Sequence, residues 1–228
     1  FIYSPARVRS ATLMKTLSRN MGVAALILTG LATVGTGLVV LAYTGTKDII
    51  AQAQHVALEA SLNQLVPADR YDNRVVEDRI EITAPEWLGT DGPVAVYRAR
   101  KNGQPVALFA TPTAPDGYSG PIQLLVGVYA DGSLAGVRVL GHKETPGLGD
   151  GIDEKRSPWI LAFAGKSLDN PRPDAWKVKK DGGAFDQFTG ATITPRAVVK
   201  ATRKFLEYVK AHREHLFAPP TTVKGQPS

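Results

Sequence analysis

Asp186-Gln-Phe-Thr-Gly-Ala-Thr-Ile-Thr-Pro195, DQFTGATITP, crowds small residues and hydroxyls into a few positions and then meets a proline. Such a run is too small and too polar for a core element. Thr194-Pro195 reads as a helix start, threonine at the N-cap and proline at the first helical position. Downstream, Val198, Val199, Thr202, Phe205, Leu206 and Val209 recur on one face and predict a helix from Pro195 to about His215. Thr192 then stands just ahead of a helix N-terminus, where free N–H groups and a partial positive charge suit a phosphate. Gly190 and Ala191 leave the backbone open to a large group. The same residues also read as a plain turn and cap. A serine or threonine hydrolase is a third reading, but the chain has no G-x-S-x-G elbow and no identifiable base.

Upstream the chain punctuates itself into strands. Val94–Ala99 and Pro105–Thr111 flank Lys101-Asn102-Gly103, and Ile122–Tyr129 and Ser133–Leu140 flank Ala130-Asp131-Gly132. Both pairs read as antiparallel hairpins, because Asn-Gly and Asp-Gly adopt left-handed turns cheaply. The loop HKETPGLGDGID follows from His142; Trp159–Ala164 reads as a short helix and Trp176–Lys179 as a strand. Strand pairs followed by late helices give an α+β domain.

Further upstream, no charged residue occurs between Arg19 and Lys47. Gly22–Tyr43, GVAALILTGLATVGTGLVVLAY, would span roughly 33 Å as a helix, enough for a bilayer core. An uncleaved anchor is expected over 22–44. A cleaved signal peptide is the rival, against which stand the length of the run and the lack of a clean cleavage site. Arg7, Arg9, Lys15 and Arg19 precede the run without an acid, while Lys47 and Asp48 cancel after it. Residues 1–21 are therefore expected in the cytoplasm and the body across the membrane. Met14, just upstream of the run, is an alternative start. Ile49, Ile50, Ala53, Val56, Ala57, Ala60 and Leu65 predict a helical stalk over 45–67, ended by Val66-Pro67. The main domain is expected over 68–216, and residues 217–228, with APPTTVKGQPS, as a disordered tail.

Composition narrows the chemistry. The 228 residues contain no cysteine, which excludes disulfides, thiolate metal sites and cysteine nucleophiles. His55, His142, His212 and His215 show no metal-site spacing with carboxylates. The formal charge is +6, mostly from the basic head, so the body is nearly neutral; no basic patch interleaved with aromatics suggests nucleic acid.

Thr189-Gly190-Ala191-Thr192-Ile193-Thr194, preceded by Asp186, resembles the flavinylation motif D-x-x-[ST]-G-A-[ST]-x-T. That motif marks the FMN-binding domain family shared by the G subunit of the Rnf ion-translocating electron transport complex and the C subunit of the sodium-translocating NADH:quinone reductase. His142-Lys143-Glu144-Thr145-Pro146-Gly147-Leu148-Gly149 matches the family's second signature, and the anchor, the stalk and Lys179-Lys180-Asp181-Gly182-Gly183 resemble the Rnf G subunit in particular. The resemblance covers residues from about 15 to 210. It implies FMN joined by a flavin transferase to Thr192 through a phosphoester, with Asp186 used by the transferase. Thr189, where serine is commoner, Gly190, Ala191 and Thr194 complete that motif; Glu144, Thr145, Gly147 and Leu148 are the expected cofactor-binding residues of the second, Gly147 by shaping its loop. The second signature suits a flat ring, which needs apolar cover and a few directed hydrogen bonds. The implied protein is a single-pass member of a bacterial inner-membrane complex, its domain periplasmic, with other membrane subunits and the lipid bilayer as partners. No side chain acts as general acid or base and no metal is expected. The quinone reductase C subunit and a cofactor-free, membrane-anchored adaptor are the alternatives.

Overall fold

The computed structural model describes residues 21, 25–26, 28–41, 43 and 59–219. The chain divides into two compact units, Phe1–Val56 and Ala57–Ser228. In the first unit, residues 28–41 are helical and every one is exposed. Leu26, Leu28, Leu31, Val34, Leu38, Val39, Val40 and Leu41 point outward around the whole helix rather than along one stripe. Among the described residues no helix is long and apolar enough to cross a membrane. Parts of the expected anchor (22–24, 27, 42 and 44), the basic head (1–20), the stalk over 45–58 and the tail over 220–228 lie outside the described residues.

The second unit is built on one antiparallel sheet. Its strands are β1 (Arg79–Ile82), β2 (Val94–Lys101), β3 (Gln104–Ala110), β4 (Thr113–Ala114), β5 (Ile122–Tyr129) and β6 (Leu134–Gly141). β1, β2, β3 and β5 pair in that order; β4 pairs with the start of β5, and β6 with β5 along its length. Both expected hairpins are present. Asn102 at φ 51° and Gly103 at φ 76° make the β2–β3 turn, the two left-handed residues that the right-handed strand twist requires. The β5–β6 turn is tied by Asp131, whose Oδ1 accepts from Ser133 N at 2.8 Å and Ser133 Oγ at 2.6 Å.

Side-chain alternation divides the core between the two faces of the sheet. Val94, Val96, Leu108, Ala110, Leu124, Val126 and Val128 face one way, toward the helices. They meet α2 (Ile193–Ala211), which presents Val198, Val199, Phe205, Leu206 and Val209, and α1 (Pro85–Leu88), which presents Leu88. Tyr97, Ala99, Ala107, Phe109 and Leu125 face the other way, onto Leu62, Leu65, Val66 and Val75. Residues 59–65 are helical, so the apolar end of the expected stalk segment packs on the back of the sheet.

Three local expectations are corrected. Trp176–Lys179 is not a strand. Trp176 and Phe185 are buried against Phe163, ring centroids 4.6–6.4 Å apart, and Val178 makes only a single bridge to Phe185. Packing of the aromatics, not a ladder, fixes this segment, next to the 3-10 helix Pro158–Phe163, which is the short helix expected there. The long helix ends at Ala211 rather than near His215; His212 turns to φ −116° and stacks on Tyr208 at 4.2 Å, and α3 (Arg213–Phe217) follows. Its start is also displaced, since Thr192 and not Thr194 occupies the N-cap.

Candidate functional site

The helix start decides the geometry. Phe188–Ala191 is a turn closed by Ala191 N donating to Phe188 O at 3.2 Å, with Gly190 left-handed at φ 80°. The turn delivers Thr192 to the N-cap, and the first N–H groups of α2, at Ile193 and Thr194, have no intrahelical acceptor. Arg196, in the first turn, donates to both oxygens of Asp181 at 2.7 and 2.8 Å and pins this end to the 3-10 turn Lys179–Asp181. Those bonds hold the Asp181 carboxyl below the usual carboxylate range.

Thr192 and Thr194 use their hydroxyls differently. Thr194 is fully buried and its Oγ1 donates to Glu144 Oε2 at 2.5 Å. Thr192 is half-buried, and its hydroxyl makes no capping bond. The sequence reading gave the cap to Thr194 because Thr-Pro is a common start. The buried carboxylate 50 residues away outcompetes the backbone for that hydroxyl.

Glu144 comes from the second motif. There the backbone turns back on itself, Leu148 N and Gly149 N both donating to Thr145 O at 3.1 Å, with Gly147 at φ 77° donating to Asp150 Oδ1. The two motifs meet around a cavity of about 380 Å³, lined by Tyr118, Glu144, Thr145, Leu148, Gly149, Gly190, Ala191, Thr192, Ile193 and Thr194. Gly147 sits on its turn without lining the cavity. Thr189 and Asp186 are exposed outside it, Asp186 pairing with Lys179 at 2.5 Å while its carbonyl accepts from Trp159 Nε1. Tyr118, Gly149 and Ile193 were not anticipated. A signal for Tyr118 was present: Asp116-Gly-Tyr-Ser-Gly120 places an aromatic between two glycines just before β5.

The lining suits a flat, partly apolar group carrying a phosphate. Tyr118, Leu148 and Ile193 are large apolar side chains left 69, 48 and 45 % exposed at one rim. Below them lie a free hydroxyl and the start of a helix. At Gly190, an added Cβ would meet Leu148 Cδ2 at an ordinary contact distance of 3.6 Å, so it is the left-handed backbone at φ 80° rather than crowding that calls for glycine there. A larger cleft of about 630 Å³, beside Arg98, Arg100 and His215, contains no residue of either motif. Among the described residues no cluster of histidines and carboxylates could hold a metal.

Comparison with known proteins bears on the same segments. The FMN-binding domain family matches residues 117–207, and the family described as the RnfG N-terminal region matches residues 14–65. A Pseudomonas aeruginosa (strain UCBPP-PA14) protein, named as the G subunit of an ion-translocating oxidoreductase complex, is 53 % identical over 201 residues, covering 88 % of this chain and 94 % of the relative. Proteins of the same name from Pseudoalteromonas atlantica and Vibrio atlanticus are 46 % and 47 % identical over 201 residues, covering 88 % of this chain and 94 % and 96 % of their own.

Proposed function

The chain belongs to the family of G subunits of ion-translocating oxidoreductase complexes, and from that premise we propose that it carries its flavin covalently, as FMN esterified through phosphate to Thr192. It is an electron-transfer flavoprotein subunit with an FMN-binding domain, working beside the other subunits of its complex. The observation that supports the covalent reading is the contrast at the helix start: Thr192 lines the cavity and its hydroxyl makes no capping bond, while that of Thr194 is committed to Glu144.

FMN supplies the redox chemistry when bound. The chain's residues supply its setting. Ile193 and Thr194 offer backbone N–H groups to a phosphate on Thr192. Gly190 and Ala191 let it approach the backbone. Leu148, Tyr118 and Ile193 offer apolar cover, and Thr145 offers a polar edge. Thr189 and Asp186, exposed on the approach to Thr192, are placed for recognition by a flavin transferase rather than for holding the ring. Gly147 shapes the loop.

The same reading makes residues 22–44 a single membrane anchor, with residues 1–21 cytoplasmic, 45–67 a stalk whose end packs onto the domain, 68–216 the body of the flavin domain on the periplasmic side and 217–228 a tail whose first residues still touch it. Supporting it are the uncharged run and the helix of residues 28–41, apolar on every side. The relatives favour the Rnf-type G subunit over the C subunit of a quinone reductase. A cofactor-free adaptor would leave the open cavity and the free hydroxyl without a purpose.

The test is ultraviolet in-gel fluorescence after denaturing electrophoresis of the chain co-expressed with a flavin transferase. Wild type is expected to fluoresce and Thr192→Ala to be dark, with unchanged circular dichroism. Covalent flavin on Thr192→Ala would refute the site. A carboxy-terminal reporter active only in the cytoplasm would refute the orientation.

A further inference from the structure

We propose that Glu144 is a positioning residue that clamps three loops around the flavin site and holds an uncompensated negative charge at the cavity floor, making the flavin harder to reduce. The inference rests on the cavity being the FMN site.

Three observations carry it. First, the carboxylate joins segments far apart in sequence. Glu144 Oε2 accepts from Thr194 Oγ1 at 2.5 Å and Oε1 accepts from Ser119 N at 3.0 Å. One side chain therefore ties its own loop to the helix start bearing Thr192 and to the loop bearing Tyr118, all three of which line the cavity. Second, glycines keep its place. A Cβ on Gly149 would fall 2.8 Å from Glu144 Oε2 and 2.9 Å from Thr194 Oγ1; one on Gly117 would fall 2.9 Å from Glu144 Oε1. The carboxyl group is thus held between two side-chain-free positions. Third, the charge has no cation. Glu144 is 4 % exposed, and none of the ion pairs among the described residues reaches it. His142 accepts through Nδ1 from the Glu144 backbone N–H at 3.1 Å, and neither His142 nor the adjacent Lys143 forms an ion pair with the carboxylate. Two donors and the start of α2 offset part of the desolvation cost but bring no formal charge.

A fixed negative charge disfavours the addition of an electron nearby. Across a cavity of this size the effect is on the order of tenfold in the ratio of reduced to oxidised flavin at a fixed applied potential, about 59 mV for a one-electron couple. Glu144 thereby does two jobs that a single substitution would confuse, and charge and length must be varied separately.

Glu144→Gln removes the charge, while Glu144→Asp keeps the charge and shortens the clamp. Full-length wild type and both variants are loaded with FMN by co-expressed transferase and titrated spectroelectrochemically at constant ionic strength. In parallel, hydrogen exchange over residues 191–197 is followed on chains made without the transferase. The expected result is a reduced-to-oxidised ratio raised about tenfold in Glu144→Gln and within twofold of wild type in Glu144→Asp, with exchange accelerated in both. Equal shifts in both variants, or none in Glu144→Gln, would overturn the charge assignment; unaltered exchange in both would overturn the clamp. Thr194→Val decides the matter if Glu144→Gln fails to fold: it keeps the charge and removes one arm, so exchange should quicken and the ratio should hold, and a tenfold rise would overturn the proposal. A wild-type chain that takes up no flavin would sink the FMN reading and the charge assignment with it, while the exchange data would still decide the clamp.

Discussion

The helical layer has two ends, and they bury opposite charges in different ways. At the start of α2 lies Glu144, a carboxylate without a cation, beside an open cavity. At the far end, where α3 runs out, Arg98 and Arg100 lie buried on β2, on the same face as Val94 and Val96. Their guanidinium groups share Asp78 at 2.5–2.7 Å and also donate to the carbonyls of Phe217 and Ala218. Each charge complements the helix end it meets, negative at the N-terminus and positive at the C-terminus. The difference is in pairing rather than in open space, since the larger cleft lies beside the arginines. The arginine end satisfies its charges with a carboxylate and carbonyls of the chain itself, so it reads as architecture. The Glu144 end lines its cavity with a threonine whose hydroxyl makes no capping bond and with the start of a helix, so it reads as a place for something else.

That contrast can be attacked from its closed side first. Asp78→Asn should leave two buried guanidiniums without their carboxylate and cost about 3–5 kcal/mol, read as a lowered urea midpoint at unchanged slope. A loss below about 1 kcal/mol would mean the arginines are not a closed unit. On the open side, Thr194→Ala should cost about 1.5–3 kcal/mol, because it strips a hydrogen bond from a buried carboxylate, while Thr192→Ala should stay within about 0.5 kcal/mol, since its hydroxyl has no partner. Equal costs in chemical denaturation would erase the distinction between the two threonines. Gly149→Ala should cost about 1–3 kcal/mol by overpacking against Glu144 and Thr194, and should lower flavin loading with it.

The smallest effect lies away from both ends. Hydrogen bonds from Ser133 hold the Asp131 carboxyl below its ordinary range. A carboxylate depressed in the folded state stabilises fully above its unfolded value and loses that contribution as the pH falls through the folded one. Acid unfolding of wild type should therefore be steeper below the ordinary carboxylate range than that of Asp131→Asn.

What could be read in the sequence depended on range. The hairpins are written in their turns, the two-residue Asn102-Gly103 and the longer Ala130-Asp131-Gly132 loop with Gly132 left-handed at φ 91°, so local chemistry announced them. β1 escaped because Arg79-Ile-Glu-Ile82 alternates charge on an edge strand that buries only one residue, Ile82. The Trp176 segment was misread because Trp176-Lys-Val-Lys179 alternates apolar and charged residues as a half-buried strand does, and that pattern looks the same whether a ladder or an aromatic cluster will hold it. At the site, motif spacing pointed to Thr192 but could not say which threonine would cap the helix, because the competitor for Thr194 is 50 residues away. Tyr118, from a third loop, belongs to neither motif and joins the cavity only through the fold.

The bond between Glu144 and Thr194 also carries a statement about time. It joins residues 50 apart, across the aromatic cluster of Phe163, Trp176 and Phe185. Contacts of such separation form late, after the hairpins have closed and the chain between has condensed. Until then the cavity has no floor and the helix start has no fixed place. If Thr192 is the attachment site proposed above, a transferase that must find it within this pocket is expected to act on the finished domain, so that flavin loading would report that folding came first.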